Sequence, residues 1–127
     1  MLIRVTATAG LLAAGLWAGG LAAAEGRFSG TLSYVGNCDA EAPPPFSGTV
    51  ANGRISGRAA RGRPFDWPVA ADGSFGGEME LRQHARGMKI QRYRGRVVDG
   101  HVEVEVYFGV PGQPRTECTA RSRLPLQ

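Results

Sequence analysis

From residue 25 to the C-terminus, apolar and polar residues alternate over short stretches, which is typical of β-strands that bury one face. Glycine, proline, asparagine and aspartate separate these stretches and indicate turns. No segment has a convincing helical period, and only residues 78–87 leave room for a turn of helix. We therefore expect an all-β domain with strands at about residues 26–35, 45–51, 54–60, 65–70, 74–83, 88–98, 101–109 and 115–123.

Four of these strands share the motif aromatic-x-Gly-x-aliphatic. Because side chains alternate along a strand, the three named positions of the motif face the same side. A glycine in the middle of that row lets the strand bend, or lets a neighbouring ring cover it. The motif therefore predicts packing rather than chemistry; its copies are Phe28–Leu32, Phe46–Val50, Phe75–Met79 and Tyr93–Val97.

Two dipeptides, Asp99-Gly100 and Asn52-Gly53, predict tight two-residue hairpins. The second hairpin sets Val50 opposite Ile55. In the first, one face is apolar, and a slip of one residue would exchange the two faces, so the register is well specified. Its outer face would carry the pairs Arg96–Glu103, Arg94–Glu105 and Arg92–Tyr107.

A third hairpin is predicted around Asp72-Gly73, with a three-residue loop over residues 71–73 and Gly73 in the left-handed region. A two-residue loop would turn Trp67 to the wrong face. With the three-residue loop, Pro68 is expected on a sheet edge or beside a bulge, because it has no N–H to donate to a neighbouring strand. The longer loop pairs Val69 with Phe75, Trp67 with Gly77 and Phe65 with Met79.

The first 24 residues have the composition of an export signal. Arg4 supplies a short positive region, residues 9–21 are apolar, and Ala22-Ala23-Ala24 offers the small side chains that signal peptidase requires. The apolar run is short and rich in glycine, which disfavours an uncleaved membrane anchor. We expect a Sec-type signal peptide over 1–24, cleaved after Ala24, and a single periplasmic or secreted domain over 25–127 with no transmembrane segment.

Cys38 and Cys118 are the only cysteines. In an exported protein such a pair is most simply a structural disulfide, and this one would close a loop of about 80 residues, worth roughly 4 kcal/mol. The bond would also bring the first and last strands together. We therefore predict a small antiparallel up-and-down β-barrel of about eight strands closed by the disulfide, with a two-sheet β-sandwich as the alternative.

Length and composition narrow the class further. A chain of 127 residues is enough for one domain, and 43% hydrophobic against 20% charged residues excludes a disordered tail. The formal net charge is +4, which includes Arg4 of the predicted signal peptide, and Lys89 is the only lysine. This modest excess suits contact with anionic envelope polymers without establishing it.

The densest basic cluster lies between two predicted strands, and it predicts a binding site made of Arg58, Arg61, Arg63, Phe65 and Trp67. The guanidinium groups would contact phosphate or sulfate groups, and the rings would stack on a sugar. A solvated loop is the simpler explanation of the same residues. Export and the low net charge argue against nucleic acid as the partner.

No catalytic motif is present, so we do not expect an enzyme, and we expect neither a cofactor nor a metal. His84 and His101 are isolated, and no glutamates face one another across a cleft as glycoside hydrolysis requires. Instead they alternate on outward positions opposite arginines; these glutamates are Glu78, Glu80, Glu103 and Glu105.

The signal peptide, early cysteine, Asx-Gly hairpins and late cysteine together resemble small exported proteins of unassigned function from GC-rich Gram-negative bacteria. Short lipocalin-type and avidin-type barrels are superficially similar, but residues 25–127 contain neither their Gly-x-Trp signature nor a biotin-site motif. The resemblance implies compartment and fold only.

The function we expect is a non-enzymatic binding module for an anionic or glycan-bearing envelope component. One alternative is a secreted protein-binding factor, either an inhibitor or an envelope assembly factor, that uses the proline-rich loop at Pro43–Pro45. Another is a small-ligand carrier, for which the inward glycines Gly57, Gly77 and Gly95 are the only indication of space.

Overall fold

A computed structural model describes residues 25–35, 43–81, 89–110 and 112–127 of the chain. Within these residues the regular structure is β-strand apart from one turn of 3₁₀ helix, Ala60–Gly62, so the all-β prediction is confirmed. The first predicted strand is divided at Leu32. The strands are β1 Gly26–Thr31, β2 Ser33–Val35, β3 Pro45–Ala51, β4 Arg54–Arg58, β5 Pro64–Pro68, β6 Ser74–Leu81, β7 Lys89–Val98, β8 His101–Val110 and β9 Gln113–Pro125.

The strands form two antiparallel sheets. Sheet I has the order β1-β3-β4-β5, and sheet II has the order β2-β9-β8-β7-β6. The chain passes directly from sheet I to sheet II at Leu32, between β1 and β2. Near the same edge, Arg27 and Gln127 exchange two backbone hydrogen bonds, of 3.0 and 2.9 Å. The first and last strands are therefore neighbours, as predicted, and they join the sheets along one side.

The predicted closed barrel is wrong, and the two-sheet sandwich fits better. Beyond their connecting turn, β5 and β6 are not paired, so the sheets are open on this side. The N–H of Val69 donates to the carbonyl oxygen of Gly53 on the β4 side. Backbone hydrogen-bonding groups alternate in direction along a strand, so those of residues 64, 66 and 68 point toward β6. Pro64 and Pro68 have no N–H to donate there, so a ladder between β5 and β6 cannot form.

The turn between β5 and β6 nevertheless has the predicted loop length. The N–H of Ala70 donates to the carbonyl oxygen of Ser74 at 2.8 Å, and Gly73 has a φ of 89°. The Asp72 carboxylate accepts hydrogen bonds from the hydroxyl and the backbone N–H of Ser74, and these bonds lower the pKa of Asp72. The local turn was predictable, whereas the pairing of Val69 with Phe75, Trp67 with Gly77 and Phe65 with Met79 was wrong.

The two Asx-Gly hairpins have the predicted registers. Val97 pairs with Val102 and Val50 pairs with Ile55. Asp99 and Gly100 have φ values of 52° and 73°, which are the positive values of a type I′ turn. The predicted register places Arg96 opposite Glu103, Arg94 opposite Glu105 and Arg92 opposite Tyr107. The side chains of the last two pairs are in contact, whereas the expected ion pair between Arg96 and Glu103 does not form.

The core between the sheets is built from the aromatic residues of the repeated motif. The ring of Phe46 stacks on Phe65 at 4.9 Å and on Tyr93 at 5.7 Å between centroids. Two motif glycines lie under neighbouring rings: an ideal Cβ at Gly77 would be 2.2 Å from Trp67, and one at Gly95 would be 2.6 Å from Phe75. The prediction that the motif serves packing is confirmed.

Cys38 lies outside the described residues, so its disulfide with Cys118 stays a prediction. The strand register is compatible with that bond, because Val35 at the end of β2 pairs with Thr119, next to Cys118 in β9. His84 also lies outside the described residues. In the described part of the chain no helix is long and apolar enough to cross a membrane.

Candidate functional site

The predicted basic cluster occupies the connection between β4 and β5. Arg58 donates a hydrogen bond from Nη1 to the carbonyl oxygen of Gly62 at 2.8 Å, which holds its side chain against the loop. Arg61 is exposed and has a φ of 60°, and Arg63 is partly buried. The three arginines therefore lie within one compact turn, and only Arg61 extends freely from it.

The two aromatic members of the predicted site belong to the core instead. Phe65 is only 6% exposed and stacks between Phe46 and Trp67, so it has no free face to offer a sugar. Trp67 is partly buried, with its ring 5.4 Å from Tyr93 and in contact with Gly77. The loop thus brings the arginines together without the stacking platform that we expected beside them.

A larger charged surface lies on the outer face of sheet II. Cross-strand register places charged side chains from β7, β8 and β9 in two rows that are two residues apart along each strand. Each row has a glutamate in the middle and an arginine on either side. The first row is Arg96, Glu103 and Arg123, and the second row is Arg94, Glu105 and Arg121.

Each glutamate in these rows binds only one of its two arginine neighbours. Glu105 pairs with Arg94 at 3.2 Å, as predicted, whereas Glu103 pairs with Arg123 of β9 at 3.0 Å and not with Arg96. These pairs are about half exposed or more on the arginine side, so each contributes little to stability. Among the described residues, Arg96 and Arg121 have no ion pair, and together the rows carry two excess positive charges.

A shallow groove of about 750 Å³ runs between the two rows. Its floor is the backbone of Gly95, Val104 and Ser122, because side-chain positions at these residues alternate to the inner face of the sheet. Arg96 and Arg121 lie diagonally across the groove. They are two strands and one row apart, which separates their backbones by roughly 12 Å. The arrangement can hold anionic groups at two points along an extended ligand. We call this groove, with the two rows of charged residues that border it, the arginine groove.

Beyond the groove, the described outer face of sheet II carries no excess positive charge. Arg92 pairs with Glu78 at 3.0 Å and lies over the ring of Tyr107 at 5.4 Å, which confirms the predicted cation–aromatic contact. Burial raises the pKa of Tyr107, and a hydrogen bond to Glu117 raises it further. The positive excess is therefore local to the groove.

Sequence reasoning missed this groove because it treated the hairpin of β7 and β8 alone. Within that hairpin, the negative charges of Glu103 and Glu105 equal in number the positive charges of Arg94 and Arg96. The third strand, β9, adds Arg121 and Arg123, so the two rows together have a net positive charge. The alternation Arg121-Ser122-Arg123 in the last predicted strand was the available signal.

Among the described residues, the interior between the sheets contains a polar pair, Gln91 and Tyr93. Gln91 is 1% exposed, and the Tyr93 hydroxyl donates a hydrogen bond to its Oε1 at 3.0 Å. Burial raises the pKa of Tyr93 to about 12. The stacked rings of Phe46, Phe65 and Tyr93 occupy the space that a carrier would need, so this interior gives the small-ligand alternative no support.

Within the described residues, no three His, Cys, Asp or Glu side chains are grouped so that they could hold a metal ion. No protein-family model, curated protein or solved structure matches this chain, so the interpretation of the site depends on its own geometry and charge.

Proposed function

We propose that this protein is an exported, non-enzymatic binding module for an anionic or glycan-bearing component of the cell envelope. The observation that carries the proposal is the arginine groove, where Arg96 and Arg121 have no ion pair with any described residue. A guanidinium group offers two parallel N–H donors to a sulfate, phosphate or carboxylate, so two such groups provide two anion contacts.

The spacing of the two arginines favours an extended ligand over a small anion. A single phosphate could contact only one of two groups that are roughly 12 Å apart, whereas a polymer with regularly repeated charges could contact both. The diagonal from Arg96 to Arg121 passes between Glu103 and Glu105. Each of these carboxylates is paired with an arginine off the diagonal, Glu103 with Arg123 and Glu105 with Arg94, which draws it away from this line. We therefore place the ligand along this diagonal.

The loop arginines Arg58, Arg61 and Arg63 are a second candidate surface for the same ligand class. Arg58 and Arg61 are the exposed members of the cluster, and the loop connects two strands of sheet I. Without an accessible Phe65, this surface offers charge alone. The groove has the additional support of a defined concave shape.

The proposal is tested with dextran sulfate as a polyanion and dextran as its uncharged counterpart, by measuring the affinity of the purified exported protein. We expect binding of dextran sulfate only, weakening as salt is added. The double variant Arg96→Gln/Arg121→Gln should lose about tenfold or more in affinity. The matched control is Arg54→Gln, which removes an arginine already paired with Asp66 on sheet I at 2.7 Å.

Two results would contradict this assignment. Equal binding of dextran and dextran sulfate would show that charge does not carry recognition. A loss of affinity in Arg58→Gln/Arg61→Gln/Arg63→Gln, with none in the groove variant, would move the contact surface to the loop.

A further inference from the structure

Among the described strands, none pairs with the edge of β6 that faces away from β7. The carbonyl oxygen of Gly73 accepts from Val97 on the β7 side, whereas that of Ser74 accepts from Ala70 on the opposite side. Backbone groups alternate in direction along a strand, so the N–H and C=O groups of Gly76, Glu78 and Glu80 point away from β7. All three residues are exposed, and on the side away from β7 no described strand pairs with them.

The neighbouring strand β5 cannot satisfy this edge. Positions 64, 66 and 68 of β5 face β6, and two of the three are proline. Prolines on an edge strand prevent further pairing, and they protect β5 in this way. No proline interrupts β6, so its edge, unlike that of β5, can receive another strand.

Side chains on either side of the β6 edge define what such a strand would carry. On the outer side are the carboxylates of Asp66, Glu78 and Glu80. Their described arginine partners, Arg54 and Arg92, reach Asp66 and Glu78 from β4 and β7, and Glu80 has no ion pair with a described residue. On the inner side lie the partly buried, apolar Trp67 and Met79, which pack against the core.

We propose that the β6 edge binds an extended segment of a partner protein by antiparallel strand addition. The segment has basic side chains at the outward positions, opposite Glu78 and Glu80, and small apolar side chains at the alternate, inward positions. A second copy of this chain fits poorly, because antiparallel pairing about Glu78 would place two carboxylates opposite each other. The inference uses none of the groove arginines and is independent of the proposed polyanion binding.

The probe for the test is an acetylated and amidated heptapeptide of alternating lysine and valine. Amide hydrogen exchange, followed by NMR, reports which backbone groups of the protein become protected. In the free protein the amides of Gly76, Glu78 and Glu80 should exchange rapidly, while those of Gly77 and Met79 are protected by β7. Bound peptide should slow the exchange of the Gly76, Glu78 and Glu80 amides.

Methylated peptides give a matched control. Residues directly opposite Glu78 and Glu80 in an antiparallel ladder exchange hydrogen bonds with them, so the lysine amides of the peptide face β6. N-methylation of the lysine amides should abolish measurable binding. The isomer methylated on its valine amides should bind like the parent peptide, because those amides point away from β6.

A pair of protein variants separates the contribution of the backbone hydrogen bond to peptide binding from that of the Glu80 carboxylate. Glu80→Pro and Glu80→Ala both remove the carboxylate, but only proline also removes the N–H that faces the peptide. We expect Glu80→Pro to bind about fivefold more weakly than Glu80→Ala. Circular dichroism checks that both variants fold.

The proposal would be overturned by equal binding of the two methylated peptides, or by no protection of Glu78 and Glu80 at millimolar peptide. Protection that increases with protein concentration in the absence of peptide would also overturn it, since a second copy would then occupy the edge.

Discussion

Replacing Gly77 with alanine should destabilise the protein, because the added methyl group has no space. An ideal Cβ at this position lies 2.2 Å from Cε2 and Nε1 of Trp67. The indole cannot retreat easily, since its centroid is 4.7 Å from that of Phe65 and 5.4 Å from that of Tyr93. Either the ring or strand β6 must move.

The size of the effect follows from two opposing contributions. Overpacking a filled core typically costs about 1–3 kcal/mol. Replacing glycine by alanine returns roughly 0.5–1 kcal/mol, because the unfolded chain loses conformational freedom. Because Phe65 and Tyr93 confine the indole, the upper part of the overpacking range, about 2–3 kcal/mol, applies, and we expect Gly77→Ala to lower the free energy of unfolding by about 1–2.5 kcal/mol.

The assay is urea unfolding followed by circular dichroism, with a double-mutant cycle. In the Trp67→Leu background the added methyl group has space, so Gly77→Ala should cost at least about 1 kcal/mol less than in the parent. Gly76→Ala is the neighbouring control, because its added Cβ would face solvent and lie 3.0 Å from the nearest atom, the Tyr93 carbonyl oxygen. An unchanged or increased stability of Gly77→Ala, or an equal cost in both backgrounds, would refute the packing argument.

Two further predictions concern pH and the cysteines. Burial raises the pKa of Tyr93 to about 12 from 10.0, so the folded state favours the neutral hydroxyl. This contribution is complete below pH 10 and is lost as the pH rises toward 12, by at most about 3 kcal/mol. Urea unfolding across this pH range should show the loss in the parent and in Tyr107→Phe, but much less in Tyr93→Phe; equal slopes in all three would contradict it. Reduction of the predicted Cys38–Cys118 disulfide should cost roughly 4 kcal/mol in the same assay, whereas an intact mass equal to that of the dithiol would show that no bond forms.

The hairpins were predictable because local signals agreed at every level. Asp99-Gly100 fixes a type I′ turn, and the apolar and charged faces beside it allow one register. The connection at Asp72-Gly73 shows the limit of this reasoning. The turn itself was predicted, but whether its two flanking strands pair depends on Pro64 and Pro68, which face β6 only because odd-numbered residues of β5 bond to β4.

The candidate site was harder to predict than the fold. Whether Phe65 faces a ligand or the core depends on β5 packing against Phe46, which no local pattern shows. The arginine groove requires three strands in register, and Arg121 is far from Arg96 in the sequence. Charge balance across a sheet therefore becomes visible only after the strand order is known.

The most direct test of the proposed function is an NMR titration of the arginine side-chain Nε–H resonances with dextran sulfate. We predict that Arg96 and Arg121 shift first and saturably, and that added salt reverses the shifts. Shifts confined to Arg58, Arg61 and Arg63, or equal shifts of all exposed arginines, would contradict recognition by the groove.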